Sequence, residues 1–200
     1  MIWPFTLFFK PKPKYKYKRV MNPKDIAAIG KVHDWQNRQK ADYEWNISRA
    51  ELNKKHIVPL TGIRARWAAR SVLKKLQRKM EFVRDIENYG MHDYWATAEE
   101  IFDTYKDDCD GFAVAMWAYL TNHNFPEMDI GMVYVYGHMF ACWHENGNDE
   151  DFWVLDNGYL TTGMVKASKF FPVVRDGKLR EPVYGFNVKR WWDYKKIEEV

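Results

Sequence analysis

Two hundred residues, 46% of them hydrophobic and 17% aromatic, can bury a core without metal or disulfide support, which excludes intrinsic disorder for most of the chain. The net charge of +4 is unevenly placed: residues 1–20 hold Lys10, Lys12, Lys14, Lys16, Lys18 and Arg19 and no acid, leaving the other 180 residues at about −2. Two cysteines, Cys109 and Cys142, exclude a disulfide framework, and no stretch reaches the roughly 18 apolar residues of a transmembrane helix.

The first nine residues are apolar but short, and the positive charge follows them instead of preceding them, so no secretory signal is expected. Residues 1–21, with the run Lys10-Pro11-Lys12-Pro13-Lys14, read as a basic extended arm, because proline fixes φ and like charges repel. Such an arm suits nucleic acid, an anionic membrane surface or a neighbouring protein subunit, and equally a solvated tail. Asn22-Pro23, an N-cap followed by proline, opens a helical lead-in over 22–62, in which Trp35, Tyr43 and Trp45 are the anchors of a polar segment.

A domain over 63–200 follows. Its first helix is read from Ile63, Trp67, Leu73, Leu76, Met80, Val83 and Ile86, which fall near one stripe at the 3.6-residue period. Arg64, Arg66, Arg70, Lys74, Lys75, Arg78 and Lys79 make the other face basic, either a solvated surface or a nucleic-acid face. A short helix is expected at about 97–105, then one over 109–122 that is apolar nearly all round and therefore central. Beyond Pro126 the pattern changes to strands: Ile130–Tyr136, His138–His144, Phe152–Asp156, and shorter ones around 171–175 and 182–188, split by the Asp176-Gly177 turn. Helices first and strands after them predict an α+β domain.

Cys109 follows the N-capping residues Asp107 and Asp108 at the mouth of the most buried helix. Unpaired amides and the helix dipole there favour thiolate and can hold an oxyanion, although a free cysteine also serves as a small buried hydrophobe. A thiolate nucleophile needs a base and a group that orients the base. The Asn146-Gly147 turn predicts a hairpin that sets His138 opposite Asp156 on one face. His144 shares that face but lies nearer the hairpin tip, and is expected as a solvated strand-end residue; Cys142 is expected in the core. The acidic 146–151 loop reads as a solvated tip, and the remaining histidines show no zinc spacing. Trp95 either walls a site or fills the core.

The segments Trp95-Ala96-Thr97-Ala98-Glu99-Glu100, Asp108-Cys109-Asp110-Gly111-Phe112-Ala113, His138-Met139, Leu155-Asp156-Asn157 and Val183-Tyr184-Gly185-Phe186-Asn187 together resemble the bacterial transglutaminase-like cysteine peptidases. The family pattern runs Trp-x-Thr-Pro-x-Glu, Gly-Asp-Cys-Glu-Asp-Tyr-Ala, His-Met, Leu-Asp-Asn and Val-Tyr-x-Phe-Asn, and the likeness covers roughly residues 80–190. The resemblance implies a papain-like fold, with the nucleophile helix packed on an antiparallel sheet. Cys109 matches the nucleophile, His138 the general base and Asp156 the orienting acid. Its best-known members are periplasmic proteases that cleave surface adhesins and need calcium, and related sequences occur in bacteriophages. The expected activity is that of a cysteine hydrolase cleaving an amide, by preference a peptide, through an acyl-enzyme. Transfer to an amine uses the same groups.

Asp108 and Asp110 match positions that help to bind calcium in the family, and both are candidate calcium ligands here. Asp107 stands where the family has glycine and Gly111 where it has an acid, which removes one oxygen ligand from the expected set. Three acids beside a thiol also disfavour the thiolate, a conflict that a bound cation would relieve. Without a signal peptide, the expected compartment is the bacterial cytoplasm or a phage particle. A protein of another class, a virion component that keeps the fold and acts through the basic arm, is the alternative.

Overall fold

The computed structural model describes residues 15–21, 34–39, 60–187 and 190–198. The helix start at Asn22-Pro23 and the anchors Tyr43 and Trp45 lie outside them. The elements run β1 (Tyr15–Met21), a helical segment α1 at 34–39, α2 (Gly62–Lys79), β2 (Glu81–Phe82), α3 (Asp85–Asn88), α4 (Ala98–Thr104), β3 (Lys106–Asp107) and α5 (Cys109–Asn122). Then come β4 (Ile130–Val135), β5 (His138–Trp143), β6 (Trp153–Leu155), β7 (Val165–Lys166), α6 (Ala167–Phe170), β8 (Val173–Arg175), β9 (Lys178–Arg180), β10 (Tyr184–Phe186) and β11 (Trp191–Glu198). Seven strands form one sheet in the order β1-β11-β10-β4-β5-β6-β7, every described neighbour pair antiparallel. This is the α+β arrangement expected, with α5 against the β4–β5 centre of the sheet.

Period-two alternation explains why the sheet has two dry faces. Met139, Ala141 and Trp143 of β5 join α5, α2 and Trp35 in one core, while Phe140 and Cys142 join Phe152, Phe171, Trp192 and Tyr194 in the other. Cys142 is fully buried, as expected. Helix α5 is buried nearly all round because it is covered by the sheet, α2 and α4. Trp192 lies flat over two glycines: a Cβ at Gly131 would fall 2.4 Å from its ring, and one at Gly185 2.4 Å from its indole nitrogen.

Four expectations are corrected. Residues 15–21, assigned to the free arm, are an edge strand paired with β11; Tyr17 is buried, and Arg19 bonds Asp149 at 2.6 Å, so these 7 residues of the arm belong to the sheet. The buried face of α2 is Ala65, Ala69, Val72, Leu73 and Leu76, whereas Ile63 and Trp67 are 64% and 68% exposed. The helix stops at Lys79, so Met80, Val83 and Ile86 are not on it; small alanines permit close packing and carry a weaker hydrophobic signal than the large residues that mislead.

The 146–151 tip is exposed at Asn146, Gly147, Asn148 and Glu150, as expected, but Asp149 bonds Arg19 and Asp151 bonds Ser168, so its two aspartates are engaged; Glu145, just before it, is buried and bonds Arg66 and the Trp153 indole. His144, expected in solvent, is wholly buried; one ring nitrogen meets the Asn148 carbonyl at 2.8 Å and the other the Tyr194 hydroxyl at 2.9 Å. Burial first, and then the nearby Arg19 charge, holds its pKa at about 3. An unfolded histidine titrates near 6.5, so this residue's stabilisation is complete above roughly that pH and is lost as pH falls toward 3. The slope is at most about 1.4 kcal/mol per pH unit. Urea denaturation midpoints should therefore fall less between pH 6.5 and 4 in His144→Gln than in the parent protein; equal falls would contradict the assignment.

Candidate active site

The turn Tyr136-Gly137 joins β4 to β5, with Val135 paired to His138 and Gly137 at φ 66°, so His138 is the first residue of a central strand. The β5–β6 register differs from the one expected. Ala141 pairs with Leu155 and Trp143 with Trp153, a displacement of two residues on the partner strand. A turn of 3-10 helix at Glu145–Gly147, with Asn146 in the left-handed region, shifts the centre of the hairpin. Because the displacement is even, side-chain parity survives, and Asp156, just beyond β6, becomes the diagonal neighbour of His138 instead of its opposite.

The diagonal still closes. His138 Nε2 lies 2.5 Å from Asp156 Oδ1, with His138 4% and Asp156 0% exposed. The other carboxylate oxygen accepts the amides of Gly158 at 3.0 Å, Leu160 at 2.7 Å and Thr161 at 3.2 Å. The loop after β6 thus wraps its own first residue and satisfies a buried anion. From the same loop, the Tyr159 ring packs 4.9 Å from that of His138, and its hydroxyl bonds Asp176 and accepts from Arg180. With Nε2 committed to Asp156, Nδ1 is the ring nitrogen available for proton exchange.

Cys109 is the first residue of α5, behind the N-cap Asp108, whose carboxylate accepts the Asp110 amide at 3.1 Å. The Gly111 amide is taken by the Asp110 carboxylate, which leaves Cys109's own amide as the first-turn donor nearest the sulfur. Cys109 is partly exposed and shares a cleft of about 390 Å³ with His138, Met139, Trp95 and Tyr184. Trp95 does both things considered for it, since it lines this cleft and stacks on Phe186 at 5.3 Å. Burial, then the charges of Asp108 and Asp110, push the Cys109 thiol up from its ordinary value, against the Met139 and Cys109 amides, which favour thiolate. The conflict read from the sequence is present, and burial sharpens it.

Asp108 and Asp110 come together with two further carboxylates, Asp85 and Asp107, and one oxygen from each of the four lies within 4.8 Å of all the others. Asp85 gives no sequence signal, being 22 positions upstream of Asp107. It arrives because β2 pairs in parallel with β3, and the Val83 amide donates to the Asp107 carbonyl at 3.1 Å. Burial, then the charges of Asp108 and Asp85, raises Asp107 to about 7, while its bonds from the Asp108 amide and Tyr89 hydroxyl pull the other way. Asp110 is pushed well above the carboxylate range by burial and then by Asp108. A set of hard oxygen donors under mutual repulsion can hold a divalent metal ion.

The missing oxygen at position 111 is also explained. A Cβ on Gly111 would fall 2.1 Å from the Asp107 carboxyl carbon, so the Asp107 carboxylate occupies the space a side chain at 111 would need. Asp107 and glycine at 111 are therefore a matched pair. Gly111→Ala should lower stability by about 1–3 kcal/mol, typical of overpacking, and adding Asp107→Gly should recover part of that loss in a denaturation cycle. Additive losses would contradict the match.

No protein-family model and no curated protein matches the chain. Among solved structures it is similar to Legionella pneumophila LapG in an EGTA-treated form, with 21% identity, a TM-score of 0.52, and 64% of this chain and 67% of that one covered. A calcium-bound form of LapG gives 23% identity and a TM-score of 0.48, covering 62% and 67% of the two chains. The first likeness establishes a common fold, the transglutaminase-like arrangement of a central helix on an antiparallel sheet.

Proposed function

We propose that this protein is a cysteine hydrolase of the transglutaminase-like peptidase class that cleaves an amide bond in a protein or peptide. The observation that carries the reading is the buried 2.5 Å contact between His138 Nε2 and Asp156 Oδ1 in a residue that opens on the same cleft as Cys109. Asp156 sets the imidazole tautomer and orientation, which leaves Nδ1 unprotonated as the base. His138 accepts the thiol proton, Cys109 Sγ bonds to the substrate carbonyl carbon, and the oxyanion develops beside the Cys109 amide. His138 returns the proton to the departing amine, and water, activated in turn by His138, releases the acyl group. The motif resemblance and the fold shared with LapG support the same reading.

Selective alkylation tests it. At pH 6 with calcium present, iodoacetamide should modify Cys109 much faster than the buried Cys142, and His138→Ala should slow Cys109 labelling by at least about tenfold, within the usual range of a general base. Equal, slow labelling of both thiols would overturn the enzyme and favour a structural role.

The four carboxylates also support calcium as the metal, with Asp85, Asp107, Asp108 and Asp110 as ligands and backbone or water oxygens completing six to eight. Bound there, it would supply positive charge against the acids that crowd Cys109. Calcium should raise the melting temperature, by an amount equivalent to about 2.7 kcal/mol at a hundredfold excess over Kd, and Asp110→Asn should abolish the shift. An unchanged melting curve in calcium and in chelator would contradict the site.

A further inference from the structure

Helix α2 carries seven lysines and arginines and no acid along its 18 residues. Three of the seven are engaged: Arg66 bonds Glu145, and Lys75 and Lys79 lie over the rings of Tyr119 and Tyr105. Arg70, Lys74 and Arg78 are exposed, and among the described residues no acid pairs with them. Exposed cations elsewhere on the surface do find acids: Arg84 pairs with Glu87, Lys106 with Glu81 and Lys196 with Glu181. Like charges four residues apart destabilise a helix, and here three stand in a row without a counter-charge.

The same ridge has an apolar end. Ile63 and Trp67 continue it toward the N-terminus, so that 63, 67, 70, 74 and 78 form one stripe opposite the buried Ala65, Ala69, Val72, Leu73 and Leu76. Ile63 and Trp67 are 64% and 68% exposed, and Trp67 is the most exposed large apolar side chain among the described residues. A fold that buries Trp35, Trp117, Trp143 and Trp192 completely leaves this one in water.

Cations and apolar tips on one convex ridge complement a surface that is anionic outside and apolar beneath. Lysine and arginine meet its acidic headgroups, tryptophan favours the headgroup level, and an aliphatic tip reaches the acyl boundary. A nucleic-acid strand would answer the cations and stack on Trp67, but such strands track a groove, and Ile63 gains nothing from a phosphate. We infer that the outer stripe of α2, Ile63, Trp67, Arg70, Lys74 and Arg78, docks the protein on an anionic lipid bilayer. Docking does not depend on the role of Cys109. Gln77, on the flank of the same helix, donates to the Asp156 carbonyl at 2.9 Å, so a bilayer against the stripe holds the candidate site at a fixed height.

Vesicle flotation with the full chain tests this. At 0.1 M salt the protein should bind phosphatidylcholine vesicles that contain 30% phosphatidylglycerol and should not bind pure phosphatidylcholine; 0.5 M salt should release it. Replacing three charges together, Arg70→Gln, Lys74→Gln and Arg78→Gln, should lower the partition coefficient at least about thirtyfold, given the usual contribution of each charge near such a surface. Trp67→Ala should lower it at least about threefold and leave the salt dependence unchanged. Quenching of tryptophan emission by lipids brominated in the acyl chain should weaken in Trp67→Phe. All four positions face solvent, so the variants should melt no lower than the parent protein. Residues 1–14 are intact in the triple variant, so unchanged binding there would overturn the inference and leave the lysines of that segment as the binding element. Equal binding to both kinds of vesicle would overturn it too, as would binding to a single-stranded oligonucleotide without binding to vesicles.

Discussion

A carboxylate with no solvent exposure is costly unless each oxygen is met by a donor, and Asp156 is such a group. One oxygen takes the His138 ring; the other takes three backbone amides from the loop that follows. This requirement fixes much of what surrounds it. The chain must turn sharply after β6, which brings Tyr159 onto the imidazole, and β8–β9 must lie close enough for Asp176 and Arg180 to hold the Tyr159 hydroxyl. The imidazole is thus fixed on one edge and packed on one face, and only Nδ1 remains to act. Positioning of this kind supplies the orientation that a general base needs before its proton affinity matters.

On the other wall of the cleft, the physical problem is the reverse. Four carboxyls gather around the start of α5, and the burial of the cleft makes those charges costly. The helix terminus and the Met139 amide favour the thiolate but are outweighed. A divalent cation is the economical solution, because one ion answers the repulsion among all four acids and offsets their effect on the thiol. The Asp107 carboxylate fills the space a side chain at 111 would need, so position 107 supplies an oxygen to the cluster and position 111 supplies none.

How far the sequence discloses this depends on the range of the information. The apolar run of α5, its Asp108 N-cap and the alternation in β4 and β5 are local, and they place Cys109 at the start of the helix and His138 at the start of the strand. Asp156 is found as well, although the hairpin register that points to it is off by two; even parity rescues the pairing, and an odd shift would have turned the carboxylate to the opposite core. Asp85 is invisible because only the tertiary pairing of β2 with β3 carries it to the cluster. The same holds for 15–21, whose lysines read as a free arm while alternate positions Tyr17 and Arg19 are buried by a strand more than 170 residues away. His144 is misjudged for a related reason, since its partner Tyr194 lies 50 positions downstream.

The proposed chemistry depends on the state of one imidazole, and ¹⁵N NMR of the histidine rings observes it. The signal of His138 should show a protonated Nε2 with a strongly deshielded proton and a bare Nδ1, and Asp156→Asn should change that tautomer or free the ring to exchange between the two. A His138 ring protonated at Nδ1 in the parent protein, or a spectrum that Asp156→Asn leaves unaltered, would contradict the claim that Asp156 sets the base.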